Sequence, residues 1–222
     1  MWKNIIYKEW IKMRWAVLLS TLFGLLAVIY IILIIRYGVK AMGADSMWYS
    51  VMFNGYIYFK ILMIVPPLIA LVTTIAQYFP ETVNKRIKLT FHLPFNENGI
   101  LMRMHLFGIV CLLLSYFLIT FVFLAGSRLY FPYELVRDAL ITVLPWFLGG
   151  FAIYFLGALI ILEPLWLFKV IYSAVSIAFI FIYYLKAPMA AYSPVLISLF
   201  ILTCCITGSL LFSGYRFRKG EM

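Results

Sequence analysis

WAVLLSTLFGLLAVIYIILII, residues 15–35, runs for 21 residues without a charge. A helix needs about 20 predominantly apolar residues, rising 1.5 Å each, to cross a hydrocarbon core roughly 30 Å thick. Lys3, Lys8, Lys12 and Arg14 precede the stretch, as basic residues precede the apolar region of a signal peptide. Signal-peptide apolar regions run to about 7–15 residues, so this one is long enough to remain as an anchor. No convincing cleavage site follows it, and it is expected to be retained.

The same length criterion selects six spans: Trp15–Ile35, Tyr56–Phe79, Leu106–Ala125, Ala139–Leu162, Leu165–Leu185 and Pro194–Ser213. Lys169 lies one turn inside the fifth and is expected to snorkel to the interface. Glu163-Pro164 is then a very tight connection, and proline suits a helix's first turn. The composition agrees: 66% of residues are hydrophobic, 12% are charged, and the mean hydropathy is +1.05. Soluble domains have roughly 45–50% apolar and about 25% charged residues. In a soluble chain a net charge of +10 would suggest nucleic acid; here it is a topological signal and implies no nucleic-acid partner. Cys111, Cys204 and Cys205 fall in apolar runs and imply no disulfide framework.

Six spans place both termini on one side. That side carries 12 of the 18 lysines and arginines and the other carries 5, with Lys60 inside the second span. Basic residues gather in cytoplasmic loops, so both termini and the segment between spans two and three are expected in the cytoplasm. Tyr49, Tyr56, Tyr130, Tyr133, Tyr183, Tyr184 and Tyr192 cluster near the opposite ends of the spans, as an interfacial belt would. The external loops are short, at roughly 20, 13 and 8 residues, and residues 1–222 read as a single six-helix domain.

The spans contain no Asp, Glu or His. Proton-coupled carriers generally need titratable groups at membrane depth, and no spanning serine has a histidine near it. Zinc ligands inside the bundle are likewise missing, as is the G-x-x-x-x-G-K-[ST] phosphate loop. The chain is expected to hold no cofactor and perform no covalent chemistry.

Two polar segments remain. WKNIIYKEWIKMRW, residues 2–15, drawn as a helix, gathers Trp2, Ile5, Ile6, Trp10 and Met13 on one arc with lysines at its margins. Residues 1–14 therefore read as an amphipathic interfacial helix, against the plainer reading of topology anchors. Glu9 falls inside the apolar arc and calls for a partner, Lys12 being the nearest. The second segment, KRIKLTFHLPFNENGILMRMH at 85–105, places Lys85, Arg86, Lys88 and Arg103 around an apolar stretch and a turn.

This order resembles the membrane subunits of ABC-2 type transporters. Those chains begin with a basic interfacial helix carrying an acid and continue into six spans. Between spans two and three they carry an acid, basic residues, a hydrophobic stretch ending in Leu-Pro, and a second amphipathic helix. The counterparts here are Glu81, Lys85-Arg86, IKLTFHLP and NGILMRMHLFGIV. The chain departs from the family pattern at Glu97, where a basic residue often follows the Leu-Pro turn. It departs again at Arg103 and His105, where a lysine is common.

The resemblance implies an all-α permease subunit in a bacterial cytoplasmic membrane, with ATP and magnesium held by a separate cytoplasmic ATPase and a second permease subunit alongside, identical or different. It implies that residues 80–105 form the coupling loop, in which Glu81, Lys85, Arg86, Lys88, Phe91, Leu93, Pro94, Phe95 and Arg103 meet the ATPase. Glu163 and Pro164 would form a smaller second contact. Two alternatives stand beside it. One is a mechanotransmission subunit that acts on an external partner protein without translocating anything. The other is a membrane scaffold in which the basic loop serves only topology.

Pro66-Pro67, midway along span two, is expected to kink it, as a hinge or as a static bend. Lys60, about one turn from the outer edge, is expected to snorkel, with contact to an anionic group as the alternative. Ser20 and Gly24, and Cys205, Ser209 and Ser213, repeat every four residues and favour close helix packing within the subunit or across a dimer. Met42, Met47 and Met52, with Cys204-Cys205, read as packing and loop residues in preference to copper ligands.

Overall fold

The computed structural model describes residues 2–83 and 97–208, without the side chains of 2–5, 97 and 98. All regular structure among them is helical. The first helix, α1, runs from Trp2 to Met42 without interruption. No glycine or proline occurs before Gly24, so nothing in the chain breaks the helix at Arg14. Residues 2–14 are therefore the continuation of the first span, not a separate interfacial helix. At 41 residues α1 is about 60 Å long, twice the hydrocarbon thickness, so its first turns project beyond the apolar stretch. Glu9 and Met13 turn inward there, while Ile6 and Trp10 are exposed.

Gly43 ends α1 with φ +84°, a conformation that a β-carbon disfavours. A short helix, α2 (Ala44–Met52), follows inside what the sequence suggests is an external loop. Met47 and Val51 bury its inner side, and Trp48 Nε1 donates to Tyr130 O at 2.9 Å. The second span begins as a 3-10 turn at Lys60–Met63 and becomes α-helical in α3 (Val65–Thr82). Pro66 and Pro67 therefore open a helix instead of kinking one. In the first turn their missing N–H groups have no intrahelical acceptor to lose.

The remaining helices are α4 (Glu97–Arg128), α5 (Tyr133–Leu162), α6 (Trp166–Tyr183) and, after a 3-10 turn at Ser193–Val195, α7 (Leu196–Thr207). Only Glu163, Pro164 and Leu165 separate α5 from α6, the tight connection expected there. Among the described residues five helices are long and apolar enough to cross a membrane: α1, the 3-10 turn with α3, α4, α5 and α6. This is the character of a multi-pass membrane protein. The sixth expected span is described only as far as Gly208.

Helix α5 forms the centre. In its most apolar 18-residue stretch 67% of residues are buried, against 11% in the peripheral α6. Helix α3 lies between α1 and α5, α4 packs on α1, and α6 and α7 lie against α5. Small residues set the closest approaches. A β-carbon on Gly24 would meet the Ile119 side chain and, at 3.2 Å, Val65 Cγ1, so the α1 stripe of Ser20 and Gly24 packs within the subunit. Thr21 and Ser115 hydroxyls join α1 to α4 at 2.7 Å. Cys205, by contrast, is exposed, and Ser209 and Ser213 lie outside the described residues.

Gly150 lets α5 reach α3: a β-carbon there would collide with the Tyr116 hydroxyl and lie 3.0 Å from Pro66 Cβ. The Tyr116 hydroxyl is itself tied to Pro66 O at 2.9 Å. Gly150→Val is expected to cost about 1–3 kcal/mol through overpacking, visible as a lowered thermal midpoint in a fixed detergent. A midpoint unchanged from the parent would show that the α3–α5 contact is looser than this geometry.

Candidate functional site

The projecting turns of α1, the end of α3, the early part of α4 and the inner half of α5 meet at one end of the bundle. The helices bring four charged side chains together there. Lys12 Nζ lies 2.8 Å from Glu9 Oε1 and 3.1 Å from Glu81 Oε1, and Lys8 Nζ lies 2.9 Å from the same Glu81 oxygen. The Glu9 side chain is fully buried and those of Glu81 and Lys12 nearly so, whereas Lys8 is half exposed. Two acids face two lysines, so the cluster is formally neutral. Burying one unpaired carboxylate costs several kcal/mol, and the shared ammonium of Lys12 offsets that cost for both.

The remaining oxygen of Glu9 leads into a neutral chain of hydrogen bonds. Gln77 Nε2 donates to Glu9 Oε2 at 3.2 Å and to Met104 O at 2.6 Å. Tyr154 donates its hydroxyl proton to Gln77 Oε1 at 2.6 Å. These partners fix the amide orientation, since Nε2 faces two acceptors and Oε1 a donor. The Tyr78 hydroxyl lies 2.7 Å from His105 Nδ1 and 3.3 Å from the Tyr154 hydroxyl. The tautomer that accepts from Tyr78 at Nδ1 carries its proton on Nε2, which is buried and meets no acceptor among the described residues. His105 also stacks on Tyr154, with centroids 5.1 Å apart and planes 19° apart.

Gln77, Tyr78 and Tyr154 are fully buried, and His105 is 1% exposed. Hydrogen-bonded polar networks in a low-dielectric interior rigidify and specify one arrangement, and among the described residues this one leaves His105 Nε2 and Glu81 Oε2 without a partner. This one joins four helices at one level, through Glu9 and Lys12 of α1, Gln77, Tyr78 and Glu81 of α3, Met104 and His105 of α4, and Tyr154 of α5. Among the described residues no three His, Cys, Asp or Glu side chains gather as a metal site.

Of the residues singled out by sequence, Glu81 is a member of this network. Arg103 is half-buried on α4, next to Met104 and His105. Glu163 is buried at the end of α5, and Pro164 follows it half-buried. Lys85, Arg86, Lys88, Phe91, Leu93, Pro94 and Phe95 lie outside the described residues. Pro66 and Pro67 stand apart at the start of α3. The demand of Glu9 for Lys12 is met, while Gln77, Tyr78 and Tyr154 carried no signal beyond being polar groups in apolar runs. No protein-family model, curated protein or solved structure matches the chain.

Proposed function

We propose that this chain is the membrane subunit of an ATP-driven ABC-2 type transporter, working as an exporter beside a second permease subunit in a bacterial cytoplasmic membrane. Residues 80–105 dock a separate cytoplasmic ATPase, which binds and hydrolyses ATP with magnesium. The single observation that carries the reading, beyond the resemblance, is how the two flanks of residues 84–96 are held. Glu81 precedes that segment and Met104 and His105 follow it, and the buried network ties both flanks to α1 and α5. A force applied to the segment is then passed to four helices at once, because a packed, hydrogen-bonded cluster deforms little.

The test is tagged purification in mild detergent, with the co-purifying proteins identified by mass spectrometry. A stoichiometric protein bearing a phosphate-binding loop is expected with the parent chain. Leu93→Asp with Phe95→Asp is expected to remove at least about 90% of it, since two apolar anchors become charges in a desolvated contact. The variant's thermal midpoint should stay at the parent value. An ATPase recovered equally with the variant would overturn the docking assignment, and no ATPase with either chain would favour a scaffold.

A further inference from the structure

At the end of the bundle opposite the polar network lies a cavity of about 1040 Å³. Its walls come from the last turns of α1, from α2 and the 3-10 turn, from the outer half of α5 and from the residues after α6. Leu33, Ile34, Met42, Met63, Trp146 and Leu185 give it broad apolar walls. Two lysines, Lys60 and Lys186, lie on the lining, and no aspartate or glutamate does. Neither lysine has an ion-pair partner among the described residues.

Three features decide what fits. The first is depth. Val65 packs beside Gly24 in the middle of the apolar stretch 15–35, and Lys60 lies five residues further out, level with the last apolar turns of α1. An ammonium at that height, without a carboxylate, seeks an anion at the edge of the hydrocarbon. The second is access. Leu33 is 55% exposed and Tyr37 75% exposed while both also line the cavity, so its wall continues onto the lipid-facing side of α1. The third is size. The volume is at the top of the roughly 300–1,000 Å³ range of small-molecule pockets, far larger than an inorganic anion needs, and such an anion would leave the apolar walls unused.

We propose that this cavity binds an anionic phospholipid from the adjacent leaflet. The phosphate is held by Lys60 and Lys186, and an acyl chain lies against Leu33, Ile34 and Met63. The inference stands on the cavity alone and does not depend on the chain being a transporter. Charge-assisted hydrogen bonds to phosphate supply the selectivity, and the apolar walls supply an attraction that any lipid chain shares.

The test uses the full chain in phosphatidylcholine nanodiscs containing a photo-crosslinking phosphatidylglycerol with a diazirine in mid-chain, or the matching phosphatidylcholine probe. Labelling by the anionic probe is expected to map to residues 33–42 and 60–63 and to exceed labelling by the neutral probe there. Lys60→Gln with Lys186→Gln is expected to lower the anionic labelling about tenfold and leave the neutral labelling unchanged. Lys40→Gln, which alters an exposed lysine at the same end but outside the cavity lining, is expected to have no effect. Ser50→Trp, placed on the lining, is expected to reduce labelling by both probes at these residues. Equal labelling by the two probes, survival of the anionic labelling in the double variant, an equal loss with Lys40→Gln, or full competition by millimolar inorganic phosphate would each overturn the proposal. Parent-like thermal midpoints for the lysine variants keep these outcomes separate from misfolding.

Discussion

Lys12→Met is expected to lower stability by about 3–5 kcal/mol, because it strands two buried carboxylates that share one ammonium. After the substitution Glu9 keeps only the Gln77 amide, and Glu81 keeps only the half-exposed Lys8. Met keeps the length of the stem, so the effect isolates the charge. Reversible thermal or denaturant unfolding in one detergent gives the number. Adding Glu9→Gln to Lys12→Met removes one stranded charge and should recover a large part of the loss. The non-additivity of that pair measures their coupling directly. A loss below about 0.5 kcal/mol, the ordinary scatter of surface changes, would mean that the cluster is solvated and clamps nothing. The same variant also probes the proposed function. With Glu81 left to Lys8 alone, the hold on one flank of the segment at 84–96 weakens, so the ATPase should still bind while its stimulation by the membrane subunit falls.

Much of this architecture was legible one residue at a time. An uncharged run of 21 residues is a span by length alone, and a carboxylate among apolar neighbours demands a partner within reach. Lys12, one turn on, is that partner. Its second contact was not legible, because Glu81 is 69 residues away and the pairing depends on how α1 and α3 are rotated against each other. Gln77 and Tyr154 were hidden for the same reason: a single amide or phenol in an apolar run reads alike whether it faces lipid or a neighbouring helix. Helix α2 was missed because its nine residues bury only Met47 and Val51, too few to show a period. The Pro66-Pro67 expectation failed from assuming that the middle of an apolar run is the middle of a helix. The run instead contains a 3-10 turn and then a fresh helix start.

Gly108→Ala should be the most damaging methyl added at any described glycine, at about 2–6 kcal/mol, from overpacking together with a buried hydrogen bond broken. The added β-carbon would fall onto the Tyr154 hydroxyl and Gln77 Oε1, and would lie 2.7 Å from Tyr154 Cζ. Neither neighbour is a loose end. Gln77 is held by Glu9 and Met104, and the Tyr154 ring is stacked on His105. The methyl must therefore push α4 away or break the network at its hub. Gly99, nine residues earlier in the same helix, provides the control, since a β-carbon there meets nothing within 4 Å among the described residues. Gly99→Ala should be neutral or stabilising by about 0.5–1 kcal/mol, as alanine is the better helix former. Tyr154→Phe added to Gly108→Ala removes the nearest atom and should recover part of the loss, whereas Tyr154→Phe alone strands Gln77 Oε1 and destabilises. That reversal of sign, the same substitution harmful in the parent and helpful beside Gly108→Ala, is what packing at this one point requires. If the two changes simply add, α4 accommodates the methyl by moving. The hold of α4 on the segment at 84–96 would then be weaker than the network implies.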